Sequence, residues 1–102
     1  MLFLTHWELN ENMSEVERLK FVQKVISSKL FPPEGVEVVR WDTTPDGWGI
    51  LITKAESAAD VIRSLDVWRM AKGGFLKSTK TAPTMPIEEV MPIEEELAKA
   101  FE

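Results

Sequence analysis

Few side chains in this sequence can do chemistry. His6 is the only histidine, and as a general base or metal ligand it needs a second group within hydrogen-bond reach. Glu8 shares its face of an extended run, and Asp42 is a candidate at a similar level. Without such a partner, His6 is simply a partly exposed or hydrogen-bonded residue. The chain has no cysteine, which removes thiolate nucleophiles, disulfides and Cys-held iron–sulfur sites. One histidine and no cysteine also fall short of the ligand set that protein zinc sites use, so no metal site is expected. No Ser–His–Asp constellation assembles from these residues. Arg40, after Val38-Val39, can hold a carboxylate or other anion at a cavity mouth through its guanidinium fork. The alternative is a solvated charge on an edge strand.

The other chemical resource is aromatic. Four tryptophans, Trp7, Trp41, Trp48 and Trp68, are many for so short a chain. A flat ligand can be sandwiched between such rings in a cavity; equally, large aromatics dominate cores and interfaces. Trp7 and Trp41 are the better ligand-binding candidates, together with His6 and Arg40. Trp48 adjoins a turn, and Trp68 fits a core stripe. Gly47-Trp48-Gly49 and Gly73-Gly74 lack the strand–loop–helix context of a phosphate cradle and read as backbone turns.

The elements that must position these residues follow from periodicity. Met1–Leu9 is apolar and β-prone, a first strand. Ser14 stands three residues before Glu17, a capping box, and Val16, Leu19, Val22, Ile26 and Leu30 follow at helical spacing as an apolar stripe. Pro32-Pro33-Glu34-Gly35 ends that helix. Val36–Trp41 and Trp48–Thr53 read as strands joined through Pro45-Asp46-Gly47, a tight-turn signature. Ser57 caps a second helix to Ala71, with Ala58, Val61, Ile62, Leu65 and Trp68 inward. Gly73-Gly74 supplies its exit, and Phe75–Ala82 is a fourth strand whose Lys77 and Lys80 protect an edge.

This order predicts an α+β, ferredoxin-like βαββαβ fold with two helices on one face of a four-stranded antiparallel sheet. Right-handed crossovers put strands one and three at the centre, and on that reading they run parallel. Leu2, Leu4 and His6 then share one face of strand one, with Phe3, Thr5 and Trp7 on the other. Ile50 and Ile52 oppose Leu51 and Thr53 in the same way. Neither face is polar enough to leave in water, so a second copy stacking sheet to sheet is expected to cover the open one.

At 102 residues there is room for one globular domain, expected over residues 1–82, with an acidic helical extension over 83–102. The net charge of −5 lies wholly in that extension, which holds six Glu against Lys99 alone. A neutral body with an acidic tail lacks the basic footprint of a nucleic-acid or anionic-membrane binder. No run approaches the length of a membrane span. Thr5, His6 and Glu8 interrupt the opening apolar residues, so no signal peptide is read, and a cytoplasmic location is expected.

With Met1-Leu2-Phe3-Leu4-Thr5-His6-Trp7, Pro32-Pro33-Glu34-Gly35-Val36, Arg40-Trp41, Gly47-Trp48-Gly49 and the Glu89-Val90 region, the chain resembles an uncharacterised family of small proteins. That family belongs to the dimeric α+β barrel superfamily. The resemblance implies paired sheets around a cavity and a homodimer, but no particular reaction. The superfamily includes cofactor-free monooxygenases, haem-degrading oxygenases and lactone isomerases. Its haem-degrading members use a helix-two tryptophan, which Trp68 matches, with a histidine ligand and a strand-one amide. Here Lys77 and no second histidine are found, and Trp7 stands where the amide is expected, which argues against haem; no cofactor is expected. The favoured reading is a homodimer binding a small apolar or aromatic molecule. The alternatives are a cofactor-free monooxygenase or isomerase acting on a flat aromatic or lactone-like substrate, and a structural dimer.

The extension carries a repeat, Met85-Pro86-Ile87-Glu88-Glu89 and Met91-Pro92-Ile93-Glu94-Glu95. Each copy reads as a helix start, with Pro at the first position and Glu in the first turn. Ile93, Leu97, Ala100 and Phe101 then form one apolar stripe, which predicts docking on the dimer.

Overall fold

The computed structural model describes every residue from Met1 to Glu102. The elements are β1 (Leu2–Leu9), α1 (Glu15–Ser27), β2 (Glu37–Thr43), β3 (Trp48–Lys54), α2 (Ala58–Ala71), β4 (Leu76–Thr84) and α3 (Ile87–Ala98), closed by a 3-10 turn, Lys99–Phe101. Local chemistry accounts for the boundaries. Ser14 Oγ accepts from the Glu17 N–H at 3.2 Å, and Ser57 Oγ accepts from the Asp60 N–H at 3.4 Å, so both helices begin at hydroxyl caps. Gly47 closes the β2–β3 turn with φ +77°, a left-handed conformation that glycine adopts at no steric cost.

The sheet order is β2-β3-β1-β4. β1 and β3 are the central pair, as expected, but they run antiparallel. The crossover rule concerns β1 and β2, which do share a direction; β3 lies between them and, as the return arm of a hairpin, must oppose both. The ladder pairs Phe3 with Thr53, Thr5 with Leu51 and Trp7 with Gly49 on one face, and Leu4 with Ile52 and His6 with Ile50 on the other. The first face lies under the helices. Its core comprises Met13, Val25, Phe31, Leu51, Trp68 and Phe75, beside a second cluster of Phe3, Val36, Ala55, Val61 and Leu65. Thr5 is fully buried between them, and its hydroxyl is paired with that of Thr81 at 2.9 Å.

Helix α1 is rotated from the expected stripe. Phe21, Val22 and Val25 pack inward, while Val16, Leu19, Ile26 and Leu30 face solvent. Both arcs of this helix are apolar. The aromatic one prevails because Phe21 meets Phe75 edge-on at 4.6 Å and Trp68 at 6.0 Å. Ile62 of α2 is likewise exposed. At the C-terminus the two Pro-containing repeats join in one helix, with Pro86 as its N-cap and Pro92 inside it. None of the residues of α3 is buried. The arm gives the chain extents of 57 × 30 × 17 Å and a radius of gyration of 16.6 Å, against about 13 Å for a compact chain of this length. No helix is long and apolar enough to cross a membrane.

Candidate functional site

A cavity of about 330 Å³ lies between the sheet and the helices of a single protomer. Its floor is the helix-side face of the sheet, Thr5, Trp7 and Leu9 of β1, Leu51 of β3, and Trp41 with Thr43 of β2. Its roof is Val22 of α1 with Leu65 and Trp68 of α2, and Phe75 and Leu76 close one side. The period-two alternation of the strands places Trp7 and Trp41 there, since each is in register with a residue of β3 that faces the helices.

The tryptophans divide by environment. Trp68 is 5% exposed and is the hub of an aromatic cluster, with ring centroids 5.2 Å from Phe31, 5.6 Å from Trp41 and 5.8 Å from Phe75. It therefore serves the core and lines the cavity at once, a double role that a helical stripe does not reveal. Trp41 is 39% exposed, so part of its ring is accessible from outside. The indole N–H of Trp7 is buried with no acceptor. An unpaired buried donor carries a desolvation cost of about 1–3 kcal/mol, and this nitrogen, closed to water, is closed to an acceptor in the cavity as well. Arg18, one turn before Val22, donates to the Asn10 carbonyl at 2.6 Å, yet its Nε–H is also buried without a partner.

His6 and Arg40 are on the other face of the sheet. His6 packs its ring on Trp48 at 5.4 Å with a 32° tilt, and its two candidate partners are engaged elsewhere. Glu8 lies 3.6 Å from Lys77 Nζ and accepts from Ser78 Oγ at 3.4 Å. Asp42 accepts from Arg40 Nε at 2.6 Å, and this hydrogen bond, then the carboxylate's charge, raise the guanidinium pKa above its ordinary value. Arg40 is thus neutralised within its own strand, with its side chain 67% exposed. The structure brings Trp7 and Trp41 together and sets His6 and Arg40 apart from them across the sheet.

No residue lining the cavity is ionisable. It offers no carboxylate, imidazole or amine to move a proton, and no side chain able to ligate a haem iron, so the residues present do not fit that group. The arrangement can desolvate, stack on and orient a flat apolar molecule.

No family model matches the chain, and no curated protein does. Solved structures do. An antibiotic biosynthesis monooxygenase superposes with a TM-score of 0.50 at 9% identity, covering 84% of this chain and 100% of that one. A de novo designed protein, Ferredog-Diesel, reaches 0.49 at 18% identity, over 81% of this chain and 85% of its own. A protein from Agrobacterium tumefaciens reaches 0.48 at 16% identity, over 84% and 93%. The first likeness carries the fold alone, a ferredoxin-like βαββαβ arrangement.

Proposed function

We propose that the chain is a homodimeric module binding a small, flat, predominantly apolar molecule in the cavity of each protomer. The observation behind this reading is the cavity itself. Trp7, Trp41 and Trp68 stand on its floor and roof, and no charged group interrupts them. Such a lining favours an uncharged aromatic or lactone-like ligand, because a charged one would lose its hydration without compensation. The dimer would form through the open sheet face, where Leu4, Ile50 and Ile52 are adjacent.

Native mass spectrometry of freshly purified protein tests both parts, since it reports subunit number and any co-purifying mass together. Tryptophan fluorescence across a panel of aromatic and lactone compounds then measures affinity. A monomer with no saturable quenching by any member would end this reading.

A second reading, oxygenation without a cofactor, draws on the fold likeness to a monooxygenase. Without a cofactor the substrate itself would have to supply the electrons to dioxygen. With no ionisable residue in the cavity to deprotonate it, it would have to ionise unaided, which limits it to acidic, electron-rich phenols or enolisable aromatics. Oxygen uptake in the presence of such compounds, compared with the Trp7→Phe protein, distinguishes turnover from binding.

A further inference from the structure

Two helices of this chain present apolar faces that nothing in the protomer covers. On α1 and the residue just beyond its C-cap and turn, Val16, Leu19, Ile26 and Leu30 are 61%, 58%, 48% and 63% exposed. On α3 and its terminal turn, Ile87, Leu97 and Phe101 are 60%, 59% and 89% exposed, and Val90 completes the same arc. Solvated aliphatic stripes of this regularity mark contact surfaces rather than chance exposure.

We propose that α3 of one copy packs antiparallel along the outer face of α1 of a second copy, so that two chains exchange their C-terminal arms. The occupant of the α1 face is thus a second copy of this chain, and the reading rests on the homodimer proposed above for the existence of that copy.

Three features support the pairing. The first is length and spacing. The helical stripes run from Val16 to Ile26 and from Val90 to Phe101, about 15 and about 17 Å long, with Leu30 past the left-handed Lys29 and off the axis of α1. Reversing one against the other sets Val16 opposite Phe101, Leu19 opposite Leu97 and Ile26 opposite Val90. Gln23 falls opposite Glu94, so the polar residue inside one stripe meets the polar residue inside the other. The second is charge. α3 and its turn are strongly acidic, whereas Lys20 and Lys24 flank the α1 stripe and take part in none of the chain's ion pairs, which use Arg40, Arg63, Arg69 and Lys77. The antiparallel direction places Glu88 and Glu89 beside the Lys24 end of α1, and Lys99 beside Glu15 and Glu17. A parallel arrangement would set Glu88 and Glu89 against Glu15 and Glu17 instead. The third is that α3 cannot stand alone. Isolated helices shorter than about 12–15 residues are marginal in water, and Pro92 inside this one removes a further backbone hydrogen bond.

The absence of native cysteine makes the test direct. Full-length Leu19→Cys and Leu97→Cys proteins, one isotopically labelled, are mixed in equal amounts and oxidised. Their folds are first compared with the parent by melting under reducing conditions. The expected product is a mixed disulfide of one labelled and one unlabelled chain, several-fold more abundant than that from Leu19→Cys with Val90→Cys. A full-length chain carrying both Leu19→Cys and Leu97→Cys addresses the self-contained alternative. A closed monomeric disulfide in that chain means that α3 folds onto its own α1 and overturns the proposal. So does the lack of any mixed disulfide, or a preference of the Leu97→Cys chain for an Ile52→Cys partner, which would seat the arm on the open sheet face. Self-linkage of Ile52→Cys reports on the sheet-to-sheet dimer separately: if it forms while the α1–α3 link does not, arm exchange alone fails. Loss of both, with a monomeric mass in native spectra, removes the homodimer as well.

Discussion

The Trp7 indole lies against Gly49, its register partner across the β1–β3 ladder. A Cβ built on Gly49 would fall 2.5 Å from Cζ2 and 2.9 Å from Cε2 of that ring, and it would also collide with the Asp42 carbonyl. The position of the ring on the cavity floor is therefore set by a missing side chain on the neighbouring strand. Gly49→Ala should displace the indole and strain the β2–β3 pairing together. A destabilisation of about 1–3 kcal/mol, as for other overpacked sites, is expected from chemical denaturation. Near-ultraviolet circular dichroism should change as well, since the indole moves. An unaltered spectrum and denaturation midpoint would show that the ring is not held there.

The tryptophans should separate by what their removal does. Trp68→Ala deletes the hub of the aromatic cluster and should cost about 3–5 kcal/mol of stability. Trp41→Ala, at a partly exposed ring, should cost less and weaken ligand binding more. Trp7→Phe keeps most of the apolar surface but removes the unpartnered buried N–H, so it should hold or raise stability by up to about 1 kcal/mol and affect ligands with and without an acceptor alike. Denaturation midpoints measured beside affinities resolve the three cases. If Trp68→Ala abolished binding with an unchanged melting curve, this division would be wrong.

The element order was readable because each boundary has a local cause: Ser14 and Ser57 as caps, Gly35 and Gly47 as turn residues, alternation in β1 and β3. Alternation also told which of Trp7 and His6 shares a face with Phe3. It could not tell that the cavity is on that face, because the helices could cover either one as far as a two-sided apolar strand reveals. Parity puts His6 and Arg40 on the opposite face of the sheet from Trp7 and Trp41, so only one of these pairs can line the cavity beneath the helices. The rotation of α1 was hidden for a similar reason, since Phe21-Val22-Val25 and Val16-Leu19-Ile26 are both helical stripes. Choosing between them required Phe75 and Trp68, which are distant in sequence. The donors left unpaired on Trp7 and Arg18 are tertiary facts with no local signature.

Lys29 follows the C-cap of α1 with φ +62°, donating its N–H to the Ile26 carbonyl at 3.1 Å. A side chain in the left-handed region is disfavoured by about 1–2 kcal/mol, and glycine avoids that contact. Because Lys29 is exposed and unpaired, Lys29→Gly should lose no tertiary contact. The greater freedom of glycine in the unfolded chain offsets part of the gain. A net stabilisation of up to about 1 kcal/mol, with unchanged ligand affinity, is expected in urea titrations.

The open sheet face supplies the last prediction. Leu4 pairs with Ile52, and His6 with Ile50, so an apolar centre is bordered by His6 on Trp48, by the Arg40–Asp42 pair and by Glu8 with Lys77. In a sheet-to-sheet dimer this centre becomes dry, while the border pairs stay wet and contribute little. Ile52→Asp would bury an unpaired carboxylate at the seam and should raise the dissociation constant at least a hundredfold, measured by dilution in analytical ultracentrifugation. In the monomer the same residue is only partly buried, so the melting point at low concentration should change little. His6→Gln keeps a polar side chain at the border and should leave both dimerisation and cavity binding nearly intact, because the sheet separates it from Trp7 and Trp41. A dimer indifferent to Ile52→Asp would place the interface elsewhere. A large loss of binding or turnover in His6→Gln, with the fold preserved, would mean that the chemistry belongs to the open face and not to the cavity beneath the helices.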